Sequence, residues 1–115
     1  NDQFSIPTSA IDLSNFVWLY IICRKRYNIN QIFNFCNKHE VISWYTFSNM
    51  ILEIYNQIIK TTIKIIPVSS SNYLQIAKRP KYSALDTYKL ENFFEIDLPK
   101  LYHSLYKSID MIIKG

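Results

Sequence analysis

A chain of 115 residues, 49% apolar and 19% charged, has room for one small domain and too much apolar content for a disordered segment. Its net charge of +4 does not imply a nucleic-acid partner: the one dense basic cluster, Arg24-Lys25-Arg26, follows a helical stretch, where cations suit exposed carbonyls. The longest apolar run, Phe16 to Cys23, is far shorter than the roughly 20 residues that span a bilayer, so no membrane partner is expected.

Pro7-Thr8-Ser9 followed by Ile11, Asp12 and Leu13 predicts a helix start, with Ser9 as cap and Asp12 completing a capping box. The helix should run through Phe16, Val17, Leu19, Tyr20 and Cys23 and end near Arg24-Lys25-Arg26. Gln31 to Cys36 reads as a short strand, and residues 37–40 as a loop. Ser43 should cap a second helix with Phe47, Met50, Ile51, Ile54, Tyr55 and Ile58 on one face. Thr61 to Val68 is largely β-branched and reads as a second strand. Ser69 to Tyr82 reads as a long ordered loop, of the kind that often carries function. A short helix around Asp86 to Asn92 follows. A last helix begins with Pro99 in its first turn and has Leu101, Tyr102, Leu105, Tyr106, Ile109 and Ile112 on one face. Neither strand makes a sheet alone, and helices separate them, as in a parallel α/β sheet.

Much chemistry is excluded. The only glycine is Gly115, so no Gly-rich phosphate loop exists. No Lys has a Tyr four residues before it, which excludes the Tyr/Lys acid of short-chain reductases. Cys23 and Cys36 have no metal-ligand spacing and read as two reduced, buried thiols in a cytoplasmic protein. His39 and His103 are isolated and read as solvent-exposed. The chain opens at Asn1 without Met or signal peptide, which suggests an amino-terminal part lying elsewhere.

Three segments together resemble one family. Asp2-Gln3-Phe4-Ser5-Ile6-Pro7-Thr8 is similar to the Asp-Gln-x-Gly-x-Pro-Thr motif of dTDP-4-dehydrorhamnose reductases. Ser43-Trp44-Tyr45-Thr46-Phe47 resembles their Ser-Trp-Tyr-x-Phe helix start. Tyr73 to Pro80, then Ser83-Ala84-Leu85-Asp86 and Lys89-Leu90, resembles their Tyr-Pro-Thr-x-Ala-x-Arg-Pro, Ser-x-Leu-Asp and Lys-Leu run. Departures accompany the match. Ser5 and Gln31 stand where the family has Gly, Asn34 where it has His, and Leu74 and Ile76 where it has Pro. Each Gly lost from a position of positive φ is expected to cost about 1 kcal/mol.

The resemblance implies an α/β fold: the carboxy-terminal fragment of a Rossmann-like nucleotide-sugar reductase, made of helices with a few strands. Residues 1–42 would belong to the cofactor-domain sheet and residues 43–115 to the substrate-binding region. The complete enzyme would use NADPH or NADH to make dTDP-L-rhamnose, with no cofactor expected on this chain alone. Its expected partners are the nucleotide-sugar substrate and a missing amino-terminal Rossmann half, with a homodimer left open. The rival reading is a non-catalytic regulatory or decayed relative on the same scaffold.

The residues implied at the substrate are Arg79, Thr8, Trp44, Tyr73 and Gln3. Arg79 is either a guanidinium contact to the substrate diphosphate or a surface ion pair fixing its loop. Trp44 and Tyr45 either line the sugar or thymine pocket or pack in the core. Thr8 is either an N-cap or turn residue or lies beside the sugar. No catalytic residue and no metal site is expected.

Overall fold

A computed structural model describes residues 1–23, 30–72, 76–77 and 79–115. Its elements are β1 (Phe4–Ser5), α1 (Ala10–Phe16), β2 (Ile42–Ser43), α2 (Trp44–Ile58), α3 (Tyr88–Phe94) and α4 (Leu101–Lys114). Beyond α1 the helix continues with π-type bonding over Val17–Cys23, and a single 3-10 turn spans Ser70–Asn72.

The helix starts follow local chemistry, with corrections. Ser9 caps α1: its Oγ accepts the Asp12 N–H at 3.3 Å. The expected capping box is only half made. The Ser9 N–H donates instead to Asn37 Oδ1 at 2.7 Å, and the Asp12 carboxylate turns inward to Asn37 and Ser104. The expected end of this helix at residues 24–26 lies outside the described residues. Ser43 caps α2 as expected, its Oγ accepting the Thr46 N–H at 3.0 Å. Helix α3 lies two residues later than expected, because Asp86 Oδ1 accepts the Tyr88 N–H at 2.8 Å and so stands before the first turn. Pro99 also falls before its helix. Lys100 is the N-cap of α4, and the Pro99 carbonyl accepts the Lys38 N–H at 2.8 Å.

Neither expected strand forms. Residues 31–36 and 61–68 have no ladder partner among the described residues, and a strand exists only by pairing. The one sheet joins β1 and β2, antiparallel, with Phe4 opposite Ser43 and Ser5 opposite Ile42. Tyr82 adds a parallel bridge to Phe4, held by Phe4 N–H to the Lys81 carbonyl at 2.7 Å and Ser83 N–H to the Phe4 carbonyl at 2.9 Å.

Packing divides into two regions. Leu90, Phe94 and Leu98 form a buried cluster, against which Phe16, Tyr20, Phe33, Phe35 and Ile96 pack. Its rings meet mostly at an angle, with Phe16 edge-on to Phe94 at 5.1 Å, the arrangement that aromatic quadrupoles favour. Elsewhere α2 lies on α4, and Ile54 of α2 is fully buried, with Leu101 and Ile109 of α4 buried too. Tyr102, Tyr106 and Ile112, expected on the buried face of α4, are exposed, as is Ile51 on α2. Ser104 is buried in their stead, drawn in by its hydrogen bonds to Asn37 and Asp12. Cys36 is buried but Cys23 is exposed. His103 is exposed, whereas His39 is half-buried, with Nδ1 2.8 Å from the Glu40 carbonyl oxygen.

The molecule carries more surface than its mass predicts. It exposes 8939 Å², against about 6,600 Å² for a compact monomer of 13.7 kDa. Its radius of gyration is 16.8 Å, against about 13 Å for a compact domain of this length. The helix after α1 accounts for part of this, being apolar on all sides: Trp18 is 58% and Leu19 53% exposed, and Ile21 and Ile22 are exposed too. A helix apolar all round normally lies inside a protein.

Candidate substrate-binding cleft

The three sequence segments singled out above meet around β1. The β1–β2 pairing brings the Gln3 segment to the start of α2, where the Trp44 N–H donates to the Gln3 carbonyl at 3.2 Å. The Tyr82 bridge brings the third segment to the same strand. Next to them the chain from 65 to 70 closes a wall. The Asp2 carboxylate accepts the Ser70 N–H at 3.0 Å and the Ser70 hydroxyl at 2.7 Å. Gln3 Nε2 donates to Ser70 Oγ at 3.1 Å. The Ser70 hydroxyl holds the Asp2 carboxyl below the usual carboxylate range; burial opposes it, and the Ser70 N–H adds a smaller lowering.

Between this wall and the first turns of α2 lies an open cleft of about 260 Å³. Gln3 and Trp44 both line it, with Tyr45 and Ser48 beside them. Trp44 is 48% exposed and meets Phe47 edge-on at 5.9 Å, so it stands at the cleft and not in the core. Thr8 is placed elsewhere. It lines a second, mostly apolar cavity of about 360 Å³ between the start of α1, Phe47 and the Leu101 and Leu105 side chains of α4. The N-cap is Ser9, so the cap alternative for Thr8 is not what the structure shows.

Arg79 is exposed and makes no hydrogen bond or ion pair among the described residues, so its surface ion-pair alternative is absent there. It lines neither cavity, but Lys81, two residues on, bonds to Phe4 beside Gln3. Tyr73 lies outside the described residues.

Asp2, Ser48 and Ser70 are cleft residues that the sequence reading missed. Asp2 adjoins Gln3 within the quoted motif and could have been named. Ser70 is hidden in a run of three serines, and its pairing with Asp2 spans 68 residues. No turn among the described residues suits the pyrophosphate of a dinucleotide. Among the described residues only Glu95 and Gly115 have positive φ, and neither precedes a helix as a phosphate-cradling turn would. Among the described residues no helix is long and apolar enough to cross a membrane.

Residues 1–113 match the family model described as the RmlD substrate binding domain. The chain is 34% identical over 103 residues to a dTDP-4-dehydrorhamnose reductase of Sinorhizobium fredii, covering 85% of this chain and 34% of that protein. The crystal structure of a dTDP-4-dehydrorhamnose reductase from Clostridium acetobutylicum superimposes with a TM-score of 0.78 at 34% identity, over 97% of this chain and 37% of that one. That of the Bacillus anthracis reductase, in complex with NADP, superimposes with a TM-score of 0.74 at 24% identity, over 99% and 36%, a likeness of fold. The α/β character expected from sequence is that of these neighbours. The chain thus spans about a third of the length of the relatives it matches, and it belongs to the RmlD substrate binding domain family of dTDP-4-dehydrorhamnose reductases.

Proposed function

We propose that this chain is the carboxy-terminal, substrate-binding part of an NADPH-dependent dTDP-4-dehydrorhamnose reductase. It holds the nucleotide sugar at the Gln3–Trp44 cleft, and Arg79, outside that cleft, serves the diphosphate. Cofactor and proton donor come from an amino-terminal Rossmann part, since no residue pattern of this chain suits either. The observation that carries the reading is the meeting of the three family segments at β1, the first two lining one cleft, in a chain that matches the substrate-binding domain over residues 1–113.

The excess apolar surface supports the division of labour. The helix from Val17 to Cys23 and residues 31–36, unpaired among the described residues, supply a face and an edge that a neighbouring sheet would cover, so residues 1–42 are mainly the docking part, their first three residues joining the substrate part, residues 43–115, at the cleft. NADPH supplies reducing equivalents in the complete enzyme, and this chain's residues bind and orient the sugar. One observation favours the rival reading of a non-catalytic or decayed relative: glycine is absent from every internal position, and a glutamate occupies a left-handed helix end.

The test is reconstitution. This chain, joined to a reductase amino-terminal part that carries a Gly-rich loop and a Tyr-x-x-x-Lys, should oxidise NADPH only when the dTDP-4-dehydro sugar is present. The chain alone should bind dTDP-L-rhamnose but not NADPH in calorimetry. Reconstitution without turnover, together with no sugar-nucleotide binding, would establish the non-catalytic reading.

A further inference from the structure

The proposed function does not say which portion of a nucleotide sugar the cleft beside Trp44 receives, and the chemistry of its walls decides this. No Lys, Arg or His side chain lines it. Its one charged side chain is the Asp2 carboxylate. Two of its hydroxyls are already oriented as acceptors. The Ser70 hydroxyl gives its proton to Asp2. The Ser48 hydroxyl gives its own to the Trp44 carbonyl at 2.8 Å, leaving oxygen lone pairs toward a guest. An ionised diphosphate is anionic, so beside the Asp2 carboxylate it finds no counter-charge here. A pyrimidine N–H or a hexose hydroxyl does donate.

Size points the same way. At about 260 Å³ the cleft falls below the roughly 300–1,000 Å³ of sites that enclose a whole drug-sized ligand. It has space for one ring, and the half-exposed Trp44 indole offers that ring a flat apolar face.

Resting on the substrate reading above, we infer that the cleft seats one uncharged ring of the nucleotide sugar, stacked on Trp44 and donating hydrogen bonds to Ser48 and Asp2, while the diphosphate stays outside it. The pyrimidine base and the deoxyhexose share this chemistry, and experiment separates them.

In a Trp18→Phe variant Trp44 is the sole indole, so its fluorescence reports on the cleft. Saturating dTDP-L-rhamnose should change this emission and inorganic pyrophosphate should not. Competition by thymidine assigns the base to the cleft, and competition by L-rhamnose assigns the sugar. Trp44→Leu should weaken dTDP-L-rhamnose binding in calorimetry about tenfold, in line with measured stacking contributions. Two results overturn the cleft assignment and leave the proposed function standing: a response to pyrophosphate equal to that of the nucleotide sugar, or calorimetric binding of the nucleotide sugar with Trp44 emission unmoved. Absence of any nucleotide-sugar binding overturns the proposed function, and the cleft assignment with it.

Discussion

Asn37 and Asp12 are joined by a hydrogen bond of 2.6 Å from the Asn37 amide to the Asp12 carboxylate, and this pair ties the amino-terminal helix to the last one. Asn37, only 1% exposed, also donates to Ser104 Oγ at 3.1 Å and to the Pro99 carbonyl at 3.2 Å, while its own oxygen accepts from Ser9. The Ser104 hydroxyl completes the circuit on Asp12. One amide side chain thus caps α1, fixes the approach to α4 and holds a carboxylate that faces inward. No buried side-chain nitrogen or oxygen is left without a partner among the described residues.

Removing the hub should therefore be costly. Asn37→Ala strands the Ser9 N–H, worth about 1–3 kcal/mol when left unsatisfied, and removes a donor from Asp12 and Pro99, which keep the Ser104 hydroxyl and the Lys38 N–H, so a total loss of roughly 3 kcal/mol is expected. Asp12→Asn keeps the shape and should cost less than half as much. Urea unfolding followed by circular dichroism checks both, and equal losses would refute the hub role of Asn37.

Glu95 closes α3 with φ 53°, a left-handed conformation that a side chain makes unfavourable. The Glu95 and Ile96 N–H groups both return to the Glu91 carbonyl, so the turn is held by its hydrogen bonds despite the side chain. Glu95→Gly should stabilise the protein by about 1 kcal/mol, and raise the melting temperature by roughly 4 °C. Calorimetric melting of the two proteins measures this, and an unchanged or lower Tm would contradict it.

The two thiols should differ in reactivity. Cys23 is exposed, while Cys36 is buried and its thiol lies 3.8 Å from the Leu85 carbonyl oxygen. Burial, then the nearby Glu91 charge, pushes the Cys36 thiol above its ordinary value of 9.0. Because the folded value is raised, the native state favours the protonated thiol, and this preference begins to oppose folding only as pH rises past 9.0. Iodoacetamide at pH 8 should alkylate one cysteine quickly and the second only after unfolding. Peptide mapping identifies which, and equal rates would show that the Cys36 pocket opens.

Arg79 should matter for affinity and not for folding. It is exposed and has no ion pair among the described residues, so Arg79→Ala should leave the melting temperature unchanged. In the reconstituted enzyme it should weaken nucleotide-sugar binding about ten- to a hundredfold, the range for a charged hydrogen bond of roughly 1.5–3 kcal/mol. Arg79→Lys should restore part of the loss, since Lys keeps the charge without the planar fork. A lower melting temperature with affinity intact would assign Arg79 to its loop instead.

The amino-acid order by itself determined what is local. Ser43 and Ser9 mark helix starts because a hydroxyl before a helix satisfies an otherwise orphaned N–H, and that depends on residues three apart. The helices themselves followed from periodicity, and the family from three short segments quoted in order. What depended on distant partners was decided by the tertiary structure. The β-branched run from Thr61 to Val68 had strand character but no partner to pair with, whereas Phe4–Ser5, too short to notice, found one in Ile42–Ser43. Ser5 and Gln31 were expected to suffer for a missing glycine, yet neither has positive φ, and the left-handed residue is Glu95. Asp12 looked like half of a capping box, and Asn37 displaced it from 28 residues beyond the cap. For the strands and for Asp12 the deciding term was a hydrogen bond whose partner is remote in sequence, and no periodicity or motif encodes such a bond.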